Sequence, residues 1–383
     1  MDQNRFTIEL EKPETPLNLV ATMAGVSRKA GRGALAQAAD LLRLRLGPGK
    51  IEMDEYYLYG LYDRSRFSAQ EAARFAGRRR QSEDAKVVND PAWYMLGQDK
   101  LAAGALLEGL GLPVPRLQAI LNRDVDAPDL TVLRTREALA SYLRDGITYP
   151  FFSKPVGGSF SLGIVGVERF DAATDRLQLA AGGDVLVDDY VAALFDAYEA
   201  GPRYHLQGFM FQELLRTHPD LETLCGTPSL ATLRVILMIE DGKARLYRVA
   251  WKIPAGTNQA DNYWRSGNLL APVDIETGLA GSASRGFGLE QVHVDQHPDT
   301  GAAIKGFAVP DWAALVELAC NATDAFPGMA MQAWDIAPTD KGPYLIEVNG
   351  VGDYTLPQIA HGKGLLDDTL LAVQQRCRQR KTR

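Results

Sequence analysis

The chain has 383 residues, a formal net charge of −7, 46% apolar and 23% charged residues, and three cysteines. That length admits two or three subdomains around a large core, and that charge excludes a nucleic-acid binder along the whole chain. Cys225, Cys320 and Cys377 are too far apart for zinc spacing and odd in number, which excludes a disulfide framework and points to a reducing compartment.

The start, Met1-Asp2-Gln3-Asn4-Arg5, is polar, and no apolar run is long enough to span a bilayer, so the expectation is a cytoplasmic protein. Residues from about 16 to 85 read as helices. Ala21–Leu46 carries an apolar stripe at helical spacing: Leu35, Ala38, Ala39 and Leu42. Tyr56, Tyr57, Tyr59 and Tyr62 precede an amphipathic stretch, Ser65–Phe75, and read as core packing. The basic runs Arg78-Arg79-Arg80 and Arg376 to Arg383 read as solvated helix faces and a frayed tail, the alternative being a patch that attracts an anionic substrate or membrane surface. No strand-like run occurs before about residue 90.

Asp99–Leu110 reads as a helix closed by Pro113 and Pro115. Short strands at Ala119–Leu121 and Asp129–Leu133 precede a helix at Glu137–Leu143. A strand at 184–187, a helix at Val191–Glu199 and a strand at Tyr204–Gln212 follow. Ser229–Glu240 and Lys243–Lys252 form a hairpin turning at Asp241-Gly242. Strands at Ala271–Ile275 and Glu290–Val294 lead to the helix Trp312–Phe326, and Asp367–Arg378 is the last helix.

Two segments carry chemistry. In Phe151-Phe152-Ser153-Lys154-Pro155-Val156-Gly157-Gly158-Ser159-Phe160-Ser161-Leu162-Gly163, a strand ends in a lysine and runs into a small, flexible loop. Glycines let backbone N–H groups approach phosphate oxygens, and the lysine adds a point charge. The plainer reading is a glycine hairpin turn. No Gly-Lys-Ser/Thr opens a helix, so this is not a Walker loop. Downstream, Met331–Ala337 delivers Asp335, a turn follows at 338–342, and Tyr344–Asn349 delivers Glu347 and Asn349. Glu347 and Asn349 are two apart and share a strand face; with Asp335 they form an oxygen set suited to Mg2+. The plainer reading is a hairpin with a wet polar face.

Together these segments resemble the ATP-grasp superfamily, and most nearly its sugar-transfer-associated branch, over roughly residues 95 to 370. Gly97-Gln98-Asp99-Lys100-Leu101, Phe211-Gln212-Glu213-Leu214-Leu215, Ala231-Thr232-Leu233-Arg234-Val235-Ile236 and Trp251-Lys252-Ile253-Pro254 also carry the likeness. The resemblance implies an α+β ATP-grasp fold, two subdomains sandwiching ATP, behind a helical N-terminal region. The expected divisions are residues 1–95 for that region, 96–213 for a subdomain with the phosphate loop, and 214–383 for one with the metal hairpin. It implies that Lys100 and Lys154 meet the phosphates, covered by Gly157, Gly158, Ser159, Ser161 and Gly163. Gln212, Glu213 and Leu214 would meet adenine, and His218 the ribose. Arg234, Arg248 and Lys252 would act at the reacting centre, with Asp261, Asn262 and Asn268 in a substrate loop. Asp335, Glu347 and Asn349 would hold the metal.

The implied activity is an ATP- and Mg2+-dependent carboxylate–amine ligase acting on small molecules through an acyl phosphate, with neither nucleic acid nor a membrane span involved. A homodimer stays open. So do a kinase acting on a small-molecule hydroxyl and a non-catalytic nucleotide-binding partner. The usual N-terminal α/β domain of such enzymes is not evident in the sequence.

Overall fold

The computed structural model describes residues 6–8, 10, 18–158, 161–200, 207–258 and 260–381. The fold is α+β, with two seven-stranded sheets belonging to two compact units.

The first unit holds Gln98–Arg216. Its strands are β1 (Leu117–Leu121), β2 (Val132–Leu133), β3 (Phe151–Pro155), β4 (Val165–Asp171), β5 (Arg176–Leu179), β6 (Asp184–Leu186) and β7 (Phe209–Glu213), in the order β2-β1-β7-β3-β4-β5-β6. Only β1 and β2 run parallel among the described pairs. Alternation sets the two faces. Phe151, Val167, Phe209 and Phe211 pack with Leu139, Leu143, Tyr190 and Leu194 from the helices Arg136–Asp145 and Val187–Glu199. Phe6, Ile8 and Leu10 close this core. The opposite face carries Ile120 and Met210, which cluster with Val156, Leu101 and Leu117. Of the expected strand Tyr204–Gln212, Phe209 onward is β7, and residues 204–206 lie outside the described set. Gly208 precedes β7 at φ +73°, where a Cβ would come 2.0 Å from the Leu121 carbonyl oxygen. Only glycine permits that approach.

The second unit joins Thr15–Gly97 to Thr217–Arg383, so the helical N-terminal segment shares a unit with the hairpin that carries Asp335. Its strands are β8 (Leu233–Glu240), β9 (Lys243–Ile253), β10 (Leu269–Val273), β11 (Ala283–Arg285), β12 (Val292–Val294), β13 (Met331–Thr339) and β14 (Gly342–Asn349), in the antiparallel order β12-β11-β10-β9-β8-β13-β14. Asp241 and Gly242, at φ 50° and 75°, make the tight turn between β8 and β9. Two positive φ values match the right-handed twist of the flanking strands. β13 runs on through Pro338 and Thr339, so the turn is shorter than the sequence suggested.

The Ala21–Leu46 stretch is two helices, α1 (Leu19–Ala30) and α2 (Ala34–Leu46), separated at Gly31 in the left-handed region. Tyr56, Tyr57, Tyr59 and Tyr62 are buried with Phe67 and Phe75. Within Ser65–Phe75 only Ala69–Ala72 is helical. Arg78 pairs with Asp54 and Glu55, Arg79 with Glu52, and Arg80 with Asp84 at 2.7 Å, so that basic run is an ion-paired face. The three cysteines are free thiols. Among the described residues no helix is long and apolar enough to cross a membrane.

His361 ends the helix Thr355–His361, donating from Nε2 to the Val249 carbonyl at 2.8 Å. Burial, helped by the nearby Arg248 and Lys363 charges, pushes its pKa from 6.5 down to about 4, against the opposing pull of the Val249 bond and Asp274. Between those values the unfolded chain binds a proton that the folded chain refuses. The stability His361 contributes is therefore complete above about pH 6.5 and lost as the pH falls towards 4, by at most about 3 kcal/mol. Urea unfolding of the parent and His361→Gln across this window should show the variant with the shallower pH slope.

Candidate functional site

In the first unit, Lys154 lies opposite Met210 and Phe152 opposite Gln212 across β3 and β7. Directly opposed residues share a face, so Lys154 and Gln212 stand on the face away from the two covering helices, and both are buried. Lys100 opens the helix Lys100–Gly109, whose cap Asp99 accepts from the Leu101 and Ala102 amides at 3.0 Å. The Lys100 ammonium donates to the Gly158 carbonyl, so the structure brings Lys100 to the glycine loop. Gly163 and Ser161 both adopt the left-handed region, at φ 71° and 54°. A Cβ on Gly157 would overlap the Gln207 amide. Ser159 lies outside the described residues. Glu213 is engaged elsewhere: its carboxylate accepts from the Arg116 amide at 2.9 Å, tying β7 to the start of β1. The Leu214 amide donates to the Pro150 carbonyl at 3.2 Å.

In the second unit the register gathers the charged residues on one face. Asp335 on β13 lies opposite Arg234 on β8 and opposite Glu347 on β14, and Asn349 faces Ala333 two positions along. A bulge follows Asp335, where Ile336 pairs with Leu345; such bulges re-aim side chains next to functional positions. Arg234 grips Asp335 with two nitrogens, Nε to Oδ1 at 2.6 Å and Nη2 to Oδ2 at 3.2 Å. Its third nitrogen reaches Asp353 at 2.7 Å. Lys252 Nζ adds a bond to Asp335 Oδ2 at 2.9 Å and lies 3.7 Å from Asp261. Asp261 in turn accepts from the Thr232 amide at 2.6 Å and from its hydroxyl.

These groups are buried, and their protonation follows from that. Burial alone would raise the Asp335 carboxyl, but Arg234 and Lys252 outweigh it and hold it far below the ordinary carboxylate range. Burial opposes the Lys252 charge, yet Asp261 and Asp335 keep its pKa above normal. Asp261 goes the other way: burial pushes its pKa up despite Lys252 and Thr232.

The remaining residues expected at the site have other engagements. Arg248 pairs with Asp367 at 2.8 Å and lies 4.4 Å from the centre of the Tyr247 ring. Asn268 is spent on its own loop: it accepts from the Ala255 amide and Asn258 at 2.9 Å and donates to the Ala260 and Asn262 carbonyls at 2.7 and 2.9 Å. Asn262 accepts from the Trp264 amide at 3.2 Å. His218 caps the helix Pro219–Cys225, its Nδ1 accepting from the Asp220 amide at 3.2 Å. Asp353 is a member of the charged cluster that the sequence did not suggest. It follows β14 by four residues and also caps Thr355 and Leu356 at 2.9 and 3.2 Å.

Mg2+ is the metal such a fold implies. Arg234 and Lys252 stand among four carboxylates, Asp335, Asp353, Asp261 and Glu347, an excess of negative charge that suits a hard cation. Asn349 Nδ2 is buried without a hydrogen-bond partner. A half-turn of that amide exchanges its nitrogen and oxygen, which places an oxygen donor there. Glu347 and Asn349 thus fit a magnesium ion. Asp335 fits less well, because its two oxygens accept three bonds from Arg234 and Lys252. Among the described residues no three His, Cys, Asp or Glu side chains are arranged to hold a metal by themselves.

A sequence profile for sugar-transfer associated ATP-grasp proteins matches residues 79–375. The chain belongs to this family. Solved structures similar to this ATP-grasp chain include a D-alanine–D-alanine ligase from Bacillus anthracis. It shares 13% identity over 79% of this chain and 77% of that one, with a TM-score of 0.42. An N5-carboxyaminoimidazole synthase from Aspergillus clavatus, in complex with ADP and its aminoimidazole ribonucleotide, shares 13% over 76% and 58%, TM-score 0.38. The purK N5-carboxyaminoimidazole ribonucleotide synthetase in its ADP complex shares 13% over 68% and 46%, TM-score 0.37. The chain thus spans 46% and 58% of the lengths of these last two structures. No curated protein matches the sequence. The α1–α2 segment precedes the region matched by the family profile.

Proposed function

We propose that this ATP-grasp protein is an ATP- and Mg2+-dependent ligase that activates a carboxylate as an acyl phosphate and passes it to an amine or related nucleophile. The observation that carries this reading is the face of the second sheet where Arg234, Lys252, Asp335 and Glu347 meet across four adjacent strands. Joining a carboxylate to the γ-phosphoryl group brings two anions together, and fixed cations with hard-cation ligands answer that need. No protein nucleophile is required.

In this scheme a carboxylate oxygen attacks the γ-phosphorus and ADP leaves. The amine then attacks the acyl carbon, phosphate leaves, and a proton is released. Lys154 and Lys100 hold phosphate oxygens beside the glycine loop, and Gln212, which both donates and accepts, reads the adenine amino edge. Arg234 and Lys252 supply positive charge where it accumulates, held in place by Asp335, Asp353 and Asp261. Glu347 and Asn349 hold Mg2+, which when bound neutralises phosphate charge. The acyl donor and acceptor are small molecules.

Incubation with ATP and pools of amino acids, sugar acids and other carboxylates tests the proposal. ADP, phosphate and an amide should form in equal amounts, and hydroxylamine should trap the activated acyl group. A stable phosphorylated product would mark a kinase instead, and nucleotide binding without turnover a binding partner. Lys154→Ala should weaken ATP binding by about 1–3 kcal/mol, the worth of a charged hydrogen bond. Calorimetric titration would check this; unchanged nucleotide affinity with a raised acceptor KM would remove Lys154 from the phosphates.

A further inference from the structure

The helical hairpin α1–α2 presents an apolar face outward. In α2 the buried residues are Gln37, Asp40 and Leu44. Gln37 is bonded to the Met23 and Arg32 carbonyls at 3.1 and 2.6 Å and to the Tyr57 hydroxyl at 3.0 Å. Asp40 is held by Arg32 at 2.7 Å and Arg64 at 2.6 Å. Leu44 joins the core, with Leu41 against it, but three other leucines point away: Leu35, Leu42 and Leu46 are 89%, 60% and 78% exposed. Ala38 and Ala39 are exposed between them. These positions recur at helical spacing and form one stripe. The helix therefore buries Gln37 and Asp40 beside Leu44 and still carries a second apolar stripe outward, more than a helix that serves only its own core needs. Val20 on α1 is 79% exposed as well.

The charge around this stripe is one-sided. From Asn18 to Lys50 the basic residues are Arg28, Lys29, Arg32, Arg43, Arg45 and Lys50, and the one acidic residue is Asp40, in a chain of net charge −7. Asp40 faces inward and is neutralised. Arg43 and Arg45 have side chains 50% and 53% exposed, beside Leu42 and Leu46; each also lies near a carboxylate, Asp40 at 3.6 Å and Glu52 at 3.7 Å. The outward surface is thus apolar and cationic.

We propose that the exposed face of α2 docks the protein on an anionic lipid bilayer. Leucines enter the boundary between headgroups and acyl chains while the arginines meet anionic headgroups, the arrangement of an interfacial amphipathic helix. A second copy of the chain fits less well. A two-fold contact along this stripe would bring the same arginine-bearing flank from both copies into one interface, whereas anionic lipid neutralises it. The segment lies ahead of the region the family profile matches, and none of the stripe residues belongs to the proposed ATP machinery. This inference does not depend on the ligase reading.

The test is sedimentation of the full chain with vesicles of phosphatidylcholine alone, or with about a quarter phosphatidylglycerol. The protein should sediment with the anionic vesicles, remain in solution with the neutral ones, and come off as salt rises. Leu35→Ser, Leu42→Ser and Leu46→Ser together should weaken binding at least tenfold, since each loses apolar burial. Arg43→Gln and Arg45→Gln should cost about fivefold each. All positions are solvent-facing, so melting temperatures and ATP consumption should stay near those of the parent. Absence of binding to anionic vesicles overturns the proposal, as does equal binding by the triple serine variant. A dimer in gel filtration that the triple serine variant turns into a monomer would also overturn it, because the stripe would then be a self-association face.

Discussion

Asp335→Ala is expected to lower the free energy of unfolding by about 3–5 kcal/mol. Asp335 accepts three charged hydrogen bonds, two from Arg234 and one from Lys252, on a face where all three residues are buried. Its loss leaves a guanidinium and an ammonium side by side with one fewer carboxylate to answer them. Breaking a buried pair from one side is costly because an uncompensated charge stays behind. Replacing the whole set with apolar residues of similar volume need not be. Arg234→Met, Lys252→Met and Asp335→Leu, with Asp353→Asn and Asp261→Asn so that no buried carboxylate is left without its cation, should therefore together recover most of the lost stability while abolishing activity. Urea denaturation of the two variants measures this. A single mutant as stable as the parent would show that the ion cluster contributes nothing to the fold.

Glu347→Gln is expected to cut turnover by roughly 1000-fold, with little change in melting temperature, because several kcal/mol of charge stabilisation leave the barrier. Glu347 is partly exposed on the edge strand β14, and glutamine keeps its shape. Only the charge is removed, at the position proposed to hold the metal. The decisive measurement is kcat at saturating Mg2+ and ATP. A near-parental rate there would exclude Glu347 as a metal ligand and leave it as a surface carboxylate.

Local patterns carried much of this architecture. Alternating apolar runs marked the Asp335 hairpin, and Asp241-Gly242 marked the β8–β9 turn because two adjacent residues there must accept positive φ. The placement of Glu347 and Asn349 on one face followed from strand period alone. What Asp335 touches did not. Its partners come from β8 and β9, about a hundred residues upstream, and depend on strand order, which periodicity does not encode. For the same reason Arg248 looked equivalent to Lys252, four residues away on one face. The structure gives one to Asp367 and the other to Asp335. Asn268 and Glu213 carry the residue types of a binding site, but bond to nearby backbone that a sequence cannot rank against a ligand. In α2 the stripe was legible as a helix, and its direction was not, since Gln37 and Asp40 go inward beside Leu44.

The discontinuity of the second unit has a consequence for biosynthesis. Its opening segment, Thr15–Gly97, leaves the ribosome before Gln98–Arg216, yet its strands and hairpin come only after Thr217. At about 5–20 residues per second, the roughly 120 intervening residues take on the order of 6–24 s to emerge. Throughout that interval Tyr56, Tyr59 and Phe75 have no sheet to cover, and by its end the first unit has all its strands and can close. The protein should thus mature from the middle outward, with a released chain truncated after Arg216 showing protease resistance in Gln98–Arg216 and cleavage within the first hundred residues.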